Sequence, residues 1–184
     1  MHELEDRRQE RTLYKPIDDT LRYWFKDDIW LHKISDLGMG AKPFDITGAL
    51  RGIPFALEVK VVARFGNKAS TLVAPDNMFT GYQKANLRAV SRAGGRGLGL
   101  LHIFVRENSM FEWRKEWGIG HQLKINALVP LSAFEVFAET TWEHWVEKMM
   151  SNRVDLDYYP WDKLVKVWDM SLFHDYLRSE KRWF

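Results

Sequence analysis

The spacing of apolar positions changes several times along this 184-residue chain, and each change marks an element. In KPIDDTLRYWFKDD, Ile17, Leu21, Trp24 and Phe25 recur at helical spacing behind Pro16, which predicts a helix over about 16–27. IWLHKI reads as a short strand, and the glycine-bearing SDLGMGAK as a loop leading into KPFDITGALRGIPFALEVKVV, a hairpin. Its second strand alternates. Phe55, Leu57, Val59 and Val61 point one way; Ala56, Glu58, Lys60 and Val62 point the other. ARFGNKASTLVAPDN, with its Gly, Asn, Pro and Asp, is expected to be a loop. FTGYQKANLRAVSRA is a helix with Ala85, Leu87, Ala89, Val90 and Ala93 on its small or apolar face, ended by Gly94 and Gly95. LGLLHIFV is a buried strand that FEW would continue as a hairpin through RENS, QLKINALVP is a further strand, and LSAFEVFAETTWEHWVEKMM is helical in two pieces. This order predicts an α/β fold with a mixed central β-sheet flanked by helices. The twelve residues before it, MHELEDRRQERT, are charged and read as a solvated terminus, a frayed helix or an arm.

Composition narrows the class. With 46% hydrophobic and 14% aromatic residues the chain suits one ordinary core. We divide it into a domain over 1–150 and an aromatic-rich C-terminal extension over 151–184, which packs on the core or on a dimer partner. The net charge of +2 selects no partner. Cysteine is absent, which excludes disulfides and thiolate metal sites, and no run approaches about 18 apolar residues. A soluble cytoplasmic protein without a membrane role is the expectation.

The hairpin carries the chemistry. A turn centred on Arg51 and Gly52 sets Leu50 opposite Ile53, and counting outward brings Asp45 opposite Glu58. Carboxylates facing each other across antiparallel strands have β-carbons about 4.5–5.5 Å apart and repel, so positive charge should fill the gap. A hard divalent cation such as Mg²⁺ suits such an oxygen site. Lys60, on the same face, could orient water or neutralise charge on a phosphate. The plainer alternative has Lys60 neutralising Glu58 beside a solvent-exposed Asp45. Against it stand Phe55, Leu57, Val59, Val61 and Val62, which make the strand a core strand where charge without use is disfavoured.

PFD at 43–45 followed by EVK at 58–60 resembles the PD-(D/E)XK nuclease superfamily, with the proline displaced by one position. The likeness spans roughly 17–105, because a helix before the first strand, a basic helix after the motif and a strand after that helix are also present. GYQKANLRAV looks like the glutamine-bearing helix of Holliday junction resolvases and related branches. The resemblance implies a restriction-endonuclease-like core and metal ligation by Asp45, Glu58 and the backbone carbonyl of Val59. It also implies a catalytic Lys60 with Gln83 nearby. An added acid from the first helix would be Asp18, with Asp19 and Glu10 as alternatives and helix N-terminal stabilisation as the rival explanation. The activity implied is a Mg²⁺-dependent endodeoxyribonuclease, with Mn²⁺ as a substitute, cutting four-way junctions as a homodimer in recombination or repair. Another DNA nuclease of this fold, or a non-catalytic DNA-binding module, are the competing readings.

Between Lys60 and Arg96 the basic residues Lys60, Arg64, Lys68, Lys84, Arg88, Arg92 and Arg96 face a single acid, Asp76. Lys84, Arg88 and Arg92 recur every fourth residue as one helix stripe suited to a phosphate backbone, or to solvent alone. Arg64, Lys68 and Arg96 are expected to extend that DNA-binding surface. GGRGLG lies between a helix and a strand, the reverse of a dinucleotide fingerprint, so it reads as a turn and no nucleotide cofactor is expected. His32, His102, His121 and His144 lack zinc-ligand spacing and are read as structural. The tryptophan-rich C-terminus is read as packing rather than as a base-stacking surface.

Overall fold

The computed structural model describes residues 2–35, 42–64, 71–106, 122–131, 139–150, 154, 157–158 and 167–178. The alternation read in the hairpin's second strand governs the architecture. That strand, β3 (Ile53–Arg64), stands at the centre of a sheet, with β2 (Ile46–Leu50) and β1 (Ile29–Lys33) on one side. On its other side lie β5 (Arg96–Arg106) and β6 (Gln122–Pro130). β3 and β5 run parallel and the remaining neighbours are antiparallel, so the sheet is mixed. A parallel neighbour requires a crossover, supplied by the segment carrying α2 (Gly81–Arg92).

Each face of the sheet buries its own core. On one face Phe55, Leu57 and Val59 join Ile46, Leu50, Leu98, Leu100 and Leu128 beneath Leu13, Tyr14, Ile17, Leu21 and Phe25 of α1 (His2–Phe25). On the other, Ala56, Val62, Leu101, Ile103, Ala127 and Val129 pack against Leu87 of α2 and against Trp142, Trp145, Val146 and Met149 of α3 (Trp142–Met150). The result is an α/β fold with a mixed central sheet flanked by helices, as the hydrophobic pattern predicts. Its element order is the one expected of a restriction-endonuclease-like core.

The hairpin register is the one obtained by counting: Leu50 pairs with Ile53 and Ile46 with Leu57. Arg51 and Gly52 take φ of 49° and 81°, the left-handed pair that a two-residue hairpin turn requires. Gly94, at φ 86°, turns the chain from α2 into β5. The first helix differs from expectation. It begins at His2, not near Pro16, and Pro16 lies inside it on the exposed side, where a ring and a missing N–H disturb packing least. The region expected to be one loop after β3 contains β4 (Leu72–Val73), which pairs with β7 (Thr140–Thr141), and a 3₁₀ turn at Pro75–Met78. The FEW hairpin extension and the first of the two helical pieces, over 132–138, lie outside the described residues.

The aromatic-rich extension contributes to the α1 face. β8 (Asp157–Tyr158) pairs with β9 (Val167–Trp168), and α4 (Phe173–Arg178) follows. Trp168, Met170, Phe173 and Leu177 are buried in that core, and Phe173 meets Phe55 edge-on with centroids 5.2 Å apart. The Trp24 indole donates to the Trp168 carbonyl at 2.8 Å, and the Tyr176 hydroxyl to the Leu128 carbonyl at 2.5 Å. No helix among the described residues is long and apolar enough to cross a membrane.

Candidate active site

The hairpin brings two carboxylates together because β2 stops one residue short of the motif. Asp45 sits just before β2, its backbone fixed on both sides: its N–H donates to Leu57 O at 3.0 Å and its carbonyl accepts from Ile34 N at 2.9 Å. Beyond the Ile46–Leu57 pair, β3 continues without β2, and the Asp45 side chain takes over the vacated ladder position. Its Oδ2 accepts the Val59 N–H at 2.7 Å. In a strand the carbonyl of a residue points the same way as its N–H, so Val59 O also faces the Asp45 side. Counting places Asp45 opposite Glu58, but the ladder ends at the Ile46–Leu57 pair and the Asp45 N–H bonds to Leu57, one residue before Glu58, which stands on the α2 face of β3.

Both acids are buried, Asp45 at 2% and Glu58 at 1% exposure. The alternative of a solvent-exposed Asp45 therefore does not hold. Three groups surround Asp45: the Val59 N–H, the Tyr14 hydroxyl donating to Oδ1 at 2.7 Å, and the Lys42 ammonium 2.5 Å from the same oxygen. Glu58 is held on one side only. Lys60 Nζ lies 2.8 Å from Oε1, and Gln83 Nε2 donates to that same oxygen. Glu58 Oε2 is buried, with no hydrogen-bond partner among the described residues. Burial, and next the neighbouring Asp45 charge, push the Glu58 carboxyl up from 4.5 to about 7, while Lys60 and Lys42 act in the opposite direction.

Gln83 reaches Glu58 because of how α2 starts. Thr80 caps the helix: its Oγ1 accepts the Gln83 N–H at 3.2 Å, and Gln83 Oε1 accepts the Thr80 N–H at 3.0 Å. With its oxygen committed to the cap, the Gln83 amide turns its NH₂ toward Glu58. The T-x-x-Q spacing of this capping box is legible in TGYQ at 80–83, a signal that sequence reading passed over.

Asp45, Glu58, Lys60, Val59 and Gln83 are thus gathered at one place. Asp18 is not. It forms an i,i+4 pair with Arg22 at 2.9 Å, and Asp19 pairs likewise with Lys15 at 2.6 Å. Among the described residues no third acid or histidine joins Asp45 and Glu58. The α1 residue that touches Asp45 is Tyr14, one turn before Asp18. Sequence reading missed both Tyr14 and Lys42. A tyrosine on the buried face of a helix needs a hydroxyl partner, and that requirement was the available signal for Tyr14.

Of the expected DNA-contacting residues, Lys84, Arg88 and Arg92 share one face of α2, with Arg88 and Arg92 exposed. Arg96 stands apart and serves the fold instead. Its guanidinium donates to Leu177 O at 2.7 Å and to Gly95 O at 3.1 Å, tying β5 to α4. Lys68 and the Arg64 side chain lie outside the described residues. His102 Nδ1 meets Asn126 Oδ1 at 2.5 Å across β5 and β6, and His32 stacks on Trp30.

The oxygen donors converging here fit a hard divalent cation in kind: Asp45, Glu58 with its unpartnered Oε2, and the Val59 carbonyl. In this structure two lysine ammonium groups neutralise the carboxylates, where positive charge was expected from the register.

No family model matches the sequence, and no curated protein matches it. Among solved structures the chain is similar to the 1.6 Å structure of Archaeoglobus fulgidus Hjc, a Holliday junction resolvase from an archaeal hyperthermophile. The identity is 14%, the TM-score 0.31, and the match covers 64% of this chain and 76% of that one. At that identity and score the likeness assigns no role to any residue.

Proposed function

We propose that this protein is a divalent-metal-dependent endodeoxyribonuclease acting on branched DNA, with four-way junctions as its substrate. The observation that carries the proposal is the buried Glu58 carboxyl, with one oxygen fully engaged and the other without a partner, beside a second buried carboxylate in a core strand. Burying such a pair costs stability, and a fold maintains that cost where the charges are used. Mg²⁺, with Mn²⁺ as a substitute, would be held by Asp45, Glu58 and the Val59 carbonyl, and supplies Lewis acidity toward a phosphoryl oxygen and lowers the pKa of water.

The chain's own residues do the rest. The Val59 N–H and the Tyr14 hydroxyl fix the direction of Asp45. Gln83 and Lys60 hold Glu58 by a single oxygen, which leaves the other uncommitted among the described residues. Lys60, 19% exposed in its side chain, can leave Glu58 to neutralise charge growing on the phosphate. The stripe of Lys84, Arg88 and Arg92 begins one residue after Gln83, so a phosphate backbone lying along α2 would lead into the carboxylates. Symmetric cutting of a junction implies two such sites in a homodimer.

The test is cleavage of a labelled, immobile four-way junction beside matched duplex, flap and single-stranded DNA, with and without Mg²⁺. Paired cuts in the junction alone, lost in Asp45→Asn or on metal removal, are expected. Cutting of the other substrates would retain the nuclease and discard the junction specificity.

A second reading, a non-catalytic DNA-binding module, draws on the two lysines that already balance the two carboxylates. It predicts no cleavage of any substrate and undiminished junction binding in Asp45→Asn. Under the nuclease reading, Lys60→Ala abolishes cutting and leaves binding close to wild type.

A further inference from the structure

Lys42 belongs to none of the motifs that mark this site, yet its ammonium is 2.5 Å from Asp45 Oδ1 and 3.3 Å from the Tyr14 hydroxyl. We infer that Lys42 is a built-in counter-cation that stands on Asp45 Oδ1 until a divalent metal ion displaces it. The inference rests on the metal-dependent reading above.

Lys42 is not what positions Asp45. The Val59 N–H, the Tyr14 hydroxyl and two backbone hydrogen bonds already fix that residue, so removal of Lys42 leaves the carboxylate aimed as before. What Lys42 supplies is charge. With both carboxylates ionised, the ammonium groups of Lys42 and Lys60 balance them one for one. Arrival of a dication leaves an excess of two positive charges among buried groups, and a phosphodiester offsets only one of them. Departure of one lysine removes the other, and neutrality is restored.

Lys42 is the lysine built to depart. Lys60 is anchored on the central strand of the sheet, whereas Lys42 lies in no helix or strand and precedes Pro43. Its side chain is 25% exposed beside an Asp45 side chain that is 3% exposed, so the ammonium has a path to water and the carboxylate does not. Lys33 provides an internal control. Its ammonium lies 4.0 Å from the centroid of the same Tyr14 ring, against 5.7 Å for Lys42, which places a third ammonium group near the site.

The experiment is calorimetric titration of Mg²⁺ and Mn²⁺ into the full chain without DNA, for wild type, Lys42→Met, Lys42→Arg and Lys33→Met, with a thermal melt of each. Lys42→Met keeps the aliphatic stem and should bind the cation on the order of fivefold more tightly, a gain of under one decade for removing one competing contact. Lys42→Arg, which retains the charge, should stay within about twofold of wild type, as should Lys33→Met. Cation binding by Lys42→Met where wild type shows none would support the inference more strongly still. Equal tightening in Lys33→Met would reduce the effect to general electrostatics and overturn it. Unchanged or weaker binding in a folded Lys42→Met, with wild type binding normally, would overturn it while leaving the metal site standing. Absence of cation binding in every variant would remove both the inference and the reading beneath it.

Discussion

At the scale of single residues, the site is governed by an asymmetry in Glu58. Oε1 receives Lys60 and Gln83, and Oε2 receives nothing among the described residues; ionisation is opposed by burial and by Asp45. The carboxyl ionises near 4.5 when the chain is unfolded and near 7 in the fold. The folded state therefore holds its proton more tightly. The stabilising contribution is fully present below about 4.5, is lost as pH rises through about 7, and then levels off. The shift corresponds to about 3 kcal/mol at most. Glu58→Gln never ionises, so its stability relative to wild type should rise across this window by about 1–3 kcal/mol without metal. Denaturant melts at pH 5 and pH 8 check this; a gap that stays constant with pH would show that Glu58 titrates normally. Addition of Mg²⁺ at pH 8 should stabilise wild type and leave Glu58→Gln nearly unmoved, since the amide offers the cation no charge. The same asymmetry explains why glutamine stands at 83: a carboxylate there would still cap α2 but would face Glu58 with a second negative charge.

At the scale of elements, the position of Gln83 depends on how closely α2 lies on the sheet. Gly97 of β5 is the contact that sets this distance: a β-carbon there would come within 2.5 Å of Leu87 O and 2.9 Å of Leu87 C. Both are helix backbone atoms, so α2 as a whole would have to move. Gly97→Ala should cost about 1–3 kcal/mol by overpacking. It should also lower the rate of DNA cleavage without touching Asp45, because the helix carries Gln83 away from Glu58. Thr80→Ala loosens the same residue from its other end and should cost about 1 kcal/mol through loss of the cap. Rates and melts of the two variants test the coupling; loss of stability with unchanged cleavage in both would separate Gln83 from the chemistry. The hairpin register was legible in sequence because one turn geometry fits Arg51–Gly52, and pairs follow from it by counting. The capping box was legible as well, in TGYQ. The start of α1 was not, because Pro16 imitates a helix beginning while sitting on an exposed face. Strands of two residues, such as β4 and β7, are too short to show a period. Lys42 left no signal, since its place on Asp45 depends on a bend between them rather than on a repeating pattern.

At the scale of the whole molecule, arginines that look alike in sequence divide into two kinds. Arg88 and Arg92 are exposed on one face of α2, one and two turns beyond Lys84. Arg96, next in the same four-residue series, has left the helix and holds α4 against the sheet through the carbonyls of Leu177 and Gly95. The series breaks at Gly94, where the chain turns into β5, so spacing alone could not separate them. Binding and stability should divide accordingly. In junction-binding titrations over a range of salt, Arg88→Ala and Arg92→Ala should each weaken binding and reduce the slope of log K against log salt by about 1. Arg96→Ala should leave that slope unaltered and lower stability by about 1–3 kcal/mol, because two backbone carbonyls lose a charged donor. Phe173→Ala, which empties the contact of α4 with Phe55, should cost about 3–5 kcal/mol and likewise spare the salt slope. A shallower slope in Arg96→Ala would mean that the guanidinium meets DNA after all and that α4 gives it up on binding. A slope unchanged in Arg88→Ala and Arg92→Ala would remove α2 from the DNA path, and the approach to Asp45 and Glu58 would then have to run along the opposite edge of the site, past Lys42 and Tyr14.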